Sequence, residues 1–121
     1  MANILLIDDD ELILKSLSRF LEMSGHNVTT TQDGAGVNRL LDRESFDLII
    51  TDILMPDTDG IHIIMNTRHD KNMSIPILAI SGGGRTDADL YLESAETLGA
   101  SAVLRKPFTN EELLSMVDRL T

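Results

Sequence analysis

Leu48-Ile49-Ile50-Thr51-Asp52 is the stretch that decides the fold: a short, near-continuous apolar run that stops at a carboxylate. A strand that is apolar on both of its faces belongs inside a parallel sheet covered on both sides. Working outward, Ile4-Leu5-Leu6-Ile7 and Ile77-Leu78-Ala79-Ile80-Ser81 have the same character, and Ala102-Val103-Leu104 is a shorter version of it. Val28-Thr29-Thr30-Thr31 is β-branched but more polar, which places it at a sheet edge.

Between these runs the apolar spacing changes to that of helices. Leu14, Leu17, Phe20 and Leu21 share one helical face, with Gly25 closing the segment. Val37, Leu40 and Leu41 mark a second helix, and Ile61, Ile64 and Met65 a third. Leu90, Leu92, Ala95 and Leu98, closed by Gly99, mark a fourth. Leu113, Leu114, Val117 and Leu120 mark the last, where Thr109 and Glu112 have the spacing of a capping box. The order is (βα)5. Such alternation predicts right-handed crossovers and an α/β fold, a flavodoxin-like three-layer sandwich whose five-stranded parallel sheet has the order 2-1-3-4-5.

The 121 residues fit one domain, expected to span 1–121, with no linker or second core. The hydrophobic share of 42% and charged share of 25% are those of a folded chain. With no cysteine there is no disulfide, thiolate metal site or cysteine nucleophile. No apolar run is long enough to span a bilayer and the first residues do not resemble a secretion signal, so the expectation is cytoplasmic, without membrane contact. Twenty acidic against ten basic residues give a formal net charge of −10, which repels nucleic-acid backbones and attracts cations. Scarce aromatics (Phe20, Phe46, Phe108, Tyr91) weaken any base-stacking role.

In open α/β sheets the chemistry gathers where strands end at their carboxyl edge. Here the strand ends deliver Asp8-Asp9-Asp10-Glu11, Asp52, Ser81 and Arg105-Lys106-Pro107. Asp8, Asp9 and Asp52 together are costly unless a cation neutralises them, and hard oxygen ligands favour Mg²⁺. Asp8–Glu11 could instead only cap the first helix, although capping by Asp10 is compatible with metal binding by its neighbours. A carboxylate beside a metal ion can attack a phosphoryl group and form an acyl phosphate, a role open to Asp52, whose loop is stiffened by Pro56 and Gly60. Lys106 could pair with Asp52 or hold a phosphoryl oxygen, and the Ser81 hydroxyl could bond one. Gly82-Gly83-Gly84 lacks the spacing of a phosphate loop and reads as backbone freedom. His26, His62 and His69 form no pair at metal-ligand spacing and read as surface or half-buried residues.

Taken together, Ile7-Asp8-Asp9-Asp10, Asp52-Ile53-Leu54-Met55-Pro56 with Gly60, Ser81, and Lys106-Pro107-Phe108, in that order along a (βα)5 frame, resemble the receiver domain of two-component response regulators. The resemblance covers the whole chain. It implies that Asp52 is the phosphoacceptor, taking its phosphoryl group from a sensor histidine kinase or a phosphotransfer protein. It implies that Asp8, Asp9 and Asp52 hold Mg²⁺ with the backbone carbonyl of Leu54, and that Ser81 and Lys106 bind the phosphoryl oxygens. One position departs from the family pattern: three residues before Lys106, where an aromatic switch is usual, stands Val103. The glycines after Ser81 are then expected to replace part of the aromatic signal by backbone motion.

Such a domain is a signalling switch and not an enzyme with an external product; at most it catalyses its own phosphorylation and dephosphorylation. The alternative is an aspartate-nucleophile phosphohydrolase with Asp8 as nucleophile and Asp10 as general acid. Against it, the acids after Lys106 (Glu111, Glu112 and Asp118) fall in a predicted helix, and no cap domain is evident. A degenerate receiver that binds partners without phosphorylation is disfavoured by the complete set of acids, hydroxyl and lysine. Output is expected through a protein target, or a phosphorylation-dependent dimer, at the face of the fourth helix, fifth strand and fifth helix, where Arg85, Tyr91, Arg105 and Arg119 lie. The chain is expected to be either a stand-alone receiver or one cut from a longer protein.

Overall fold

The computed structural model describes residues 2–53, 63–64, 66–70, 73–81 and 99–121, with Ala35, His69, Asp70 and Ser81 described by backbone only. Within them the order is β1 (Asn3–Ile7), α1 (Glu11–Met23), β2 (Asn27–Thr31), α2 (Val37–Arg43), β3 (Leu48–Asp52), β4 (Ile77–Ser81), β5 (Ala102–Arg105) and α3 (Asn110–Leu120), the helix expected to be the fifth. The sheet is five-stranded, all its ladders are parallel, and its order is β2-β1-β3-β4-β5. The more polar strand, β2, lies at an edge as its composition requires. Most markers of the expected third and fourth helices, and Arg85 and Tyr91, lie outside the described residues; Ile63 and Ile64 are helical, and Asn66–Asp70 form a π-helical turn.

Both faces of the sheet are apolar, and alternate residues serve opposite layers. Leu5, Ile7, Ile49, Ile77 and Ala79 pack with Val37 and Leu41 of α2 and with Phe46, Ile63 and Ile64. Ile4, Leu6, Leu48, Ile50, Leu78 and Ile80 pack with Leu14 and Leu21 of α1 and with Leu113 and Val117 of α3. That division is the three-layer sandwich. Among the described residues no helix is long and apolar enough to cross a membrane.

The helix ends follow their sequence signals. Asp10 caps α1 by accepting from the Leu12 and Ile13 N–H groups. At its other end Gly25, with φ +97°, reverses the chain while its N–H donates to Glu22 O and the His26 N–H to Leu21 O. Thr109 and Glu112 make the reciprocal capping box of α3. The sequence gives no warning of Arg68: it donates through Nε to Gly99 O and through a terminal nitrogen to Met73 O, both at 3.0 Å, tying the π-helical turn to the segments before β4 and β5.

Gly99 has φ +126°, and a Cβ there would stand 2.8 Å from Arg68 Cγ, whereas Gly25 has open space around it. Gly25→Ala should therefore lose only the backbone term of about 1–2 kcal/mol. Gly99→Ala should lose more by at least ~1 kcal/mol, because Arg68 is held by its two carbonyls and cannot step aside freely. Urea midpoints for the two variants check the ranking.

Candidate functional site

The site is assembled by strand register. In the β1–β3 ladder Ile7 pairs with Thr51, so the next residues, Asp8 and Asp52, emerge side by side at the carboxyl edge. Asp52 pairs with Ile80 of β4, and Ser81 with Arg105 of β5, which brings the backbone of Ser81 and the start of the Lys106 loop to the same edge. Leu54 and the Ser81 side chain lie outside the described residues.

Asp8 and Asp52 are both buried, at 4% and 8% exposure, while Asp9 is exposed. One carboxylate oxygen from each of the three lies within 4.8 Å of the others. Lys106 reaches this group: its Nζ is 3.6 Å from Asp8 Oδ2 and 3.4 Å from Asp52 Oδ2. A second donor is the backbone N–H of Asp10, 2.9 Å from Asp8 Oδ1. The Thr51 hydroxyl, fully buried, donates to the Asp52 carbonyl at 3.0 Å and satisfies a polar group within the core. Neither donor was singled out from the sequence. A backbone N–H has no residue signature, and the signal for Thr51 is only a polar residue within an apolar run.

Burial pushes the Asp8 carboxyl up from an ordinary 3.8 to about 6. The Asp10 N–H opposes this by stabilising the anion, the Asp52 charge adds to it, and Lys106 opposes it again. Three carboxylates, two of them buried, with the Lys106 ammonium beside them make a donor set suited to a hard divalent cation such as Mg²⁺, which accepts oxygen ligands and lowers their mutual repulsion. Asp10 is not part of the cluster. Its Oδ1 accepts from the N-terminus of α1.

The sequence profile of the response regulator receiver domain matches residues 4–118. The chain belongs to that family. As a receiver domain it is similar to the transcriptional regulatory protein CpxR of Escherichia coli, 37% identical over 117 residues covering 97% of this chain and 48% of that protein. Protein PetR of Rhodobacter capsulatus is 36% identical over 118 residues, covering 98% of this chain and 48% of its own length. The chain thus spans about half the length of these curated relatives. Among solved structures, the chemotaxis response regulator CheY4 of Vibrio cholerae superposes with a TM-score of 0.87 at 29% identity, covering 100% of this chain and 99% of that one.

The raised Asp8 value sets a pH dependence. Well below the ordinary value of 3.8, the carboxyl is protonated in folded and unfolded chains alike. Between about 4 and 6 the folded receiver holds a proton that the unfolded chain has released, so stability falls as pH rises through that window and levels off above it. The shift corresponds to on the order of 3 kcal/mol. Asp8→Asn in metal-free buffer should flatten this part of the profile and be more stable than the unsubstituted chain at pH 7, as read by denaturant unfolding across pH. An Asp8→Asn profile parallel to that of the parent chain would exclude the assignment.

Proposed function

We propose that residues 1–121 act as a single receiver domain that accepts a phosphoryl group on Asp52, with Asp8, Asp9, Asp52 and the Leu54 backbone carbonyl holding Mg²⁺. The observation that carries this reading is the Lys106 ammonium placed between the buried carboxylates of Asp8 and Asp52. An Asp52 oxygen attacks phosphorus as the bond from phosphorus to the donor breaks. That bond is P–N in a phosphohistidine or P–O in acetyl phosphate, and the electron pair leaves with the donor. Mg²⁺, when bound, neutralises the acids and the transferring oxygens. Lys106 turns from a carboxylate partner into a phosphoryl partner, and the Ser81 hydroxyl supplies a second donor. Water attack on the acyl phosphate resets the switch.

The donor is a sensor histidine kinase or a phosphotransfer protein in the cytoplasm. Leu12, in the first turn of α1 and 76% exposed, gives such a protein apolar surface beside the acids. Output passes to a protein target, or to a second receiver, through β5, α3 and the segment preceding β5. A groove lined by Leu104, Thr109, Glu111, Glu112, Ser115 and Met116 supports that choice of face. The net charge of −10 makes direct nucleic-acid binding by this domain unfavourable.

Incubation with acetyl phosphate and Mg²⁺ should add one phosphoryl group at Asp52, located by mass spectrometry. Asp52→Asn should abolish labelling while the circular dichroism spectrum is retained, and excess chelator should suppress it. Label found on Asp8 would favour the hydrolase reading, and no label at all a degenerate receiver.

Val103 is half-buried and packs on the α2 side of the sheet, where its stiff, short side chain cannot swing as a tyrosine does. Amide shifts on adding beryllium fluoride should be largest over residues 81–85 and smaller at Val103. A larger response at Val103 would contradict the backbone-led switch.

A further inference from the structure

Asp10 sits between two features of the site that the proposed phosphoryl chemistry leaves unconnected. Its side chain accepts from the Leu12 N–H at 2.9 Å and the Ile13 N–H at 3.4 Å, which fixes its backbone in extended form at φ −88°, ψ 110°. In that conformation its own N–H donates to Asp8 Oδ1 at 2.9 Å, leaving Asp8 Oδ2 toward Lys106. The cap and the carboxylate are thus joined through one peptide unit. Loss of the cap frees residue 10 to rotate and withdraws the N–H that holds a buried ligand oxygen in place.

We infer that Asp10 is a positioning residue: by capping α1 it aims its backbone N–H at Asp8 and sets the orientation in which Asp8 binds the divalent cation. This rests on the metal reading proposed above. Outer partners that orient a ligating carboxylate typically contribute ten- to a hundredfold in metal affinity. The carboxylate charge of Asp10 is not what matters; any short acceptor that caps the helix serves, and Asn and Ser are such acceptors.

Mg²⁺ alone is titrated into the intact chain by calorimetry. Asp10→Ala should bind at least about tenfold more weakly, whereas Asp10→Asn and Asp10→Ser should stay within a few-fold of the parent. The amide resonance of residue 10 in the metal-free protein should move upfield in the alanine variant only, as its hydrogen bond to the carboxylate is lost. Thr109→Ala removes the equivalent cap from α3 and controls for general loss of stability. Its Mg²⁺ affinity should be unchanged. Undiminished binding by Asp10→Ala, equal weakening by Asp10→Asn, or weakening by Thr109→Ala each overturn the inference while leaving the metal site standing. No Mg²⁺ binding by the parent chain overturns both.

Discussion

Two like charges placed side by side by a strand ladder are the constraint to which the rest of the carboxyl edge responds. Pairing Ile7 with Thr51 leaves no freedom for the residues that follow them, so Asp8 and Asp52 arrive together whatever their electrostatic cost. At about 4 Å and an effective dielectric near 20, two such charges repel by roughly 4 kcal/mol. The ammonium of Lys106, shared between both carboxylates, and the Asp10 N–H on Asp8 offset part of that. Burial, with a smaller contribution from the Asp52 charge, leaves Asp8 reluctant to ionise.

The same two residues help to fix the ladder that crowds them. A sheet with one polar face punishes a one-residue slip by exposing its apolar side chains. Here β1 and β3 are apolar on both faces, with Ile4, Leu5, Leu48, Ile49 and Ile50 all fully buried, and hydrophobic pattern alone does not distinguish neighbouring registers. The ends do. Sliding β3 inward by one residue would carry Asp52 away from Lys106 and into the core, where an unpaired charge is far more costly than a displaced isoleucine. Fold and site are therefore mutually dependent: apolar strands position the carboxylates, and the carboxylates stop the strands.

That dependence explains how much was legible in the sequence. The strand order β2-β1-β3-β4-β5, the edge position of the threonine-rich β2 and the convergence of Asp8, Asp9, Asp52 and Lys106 follow from apolar runs that end in charge, and the structure has them. Strand limits were less readable. β1 begins at Asn3, β2 at Asn27, and β5 includes Arg105 because ladders are closed by backbone hydrogen bonds, to which hydropathy is blind. Least readable were contacts in which one partner is main chain: Arg68 on Gly99 O and Met73 O, His26 Nδ1 accepting from the Ala2 N–H, and the Asp10 N–H on Asp8. A carbonyl or amide is offered by nearly every residue, so composition cannot say which one a side chain will find.

Charge also indicates where a phosphoryl signal would have to go. With all three acids ionised, the cluster sets three negative charges beside the positive charge of Lys106, and one divalent cation would offset the excess among the described residues. Converting Asp52 to an acyl phosphate exchanges one negative charge for about two, so the neutralised group becomes anionic again and acquires oxygens in need of donors. Lys106 is already at the site. Beside Asp52 in the ladder is the end of β4, whose Ile80 pairs with it and whose next residue is Ser81. Any inward pull there acts on a strand end continuing into Gly82-Gly83-Gly84, where no Cβ resists a change of backbone angle.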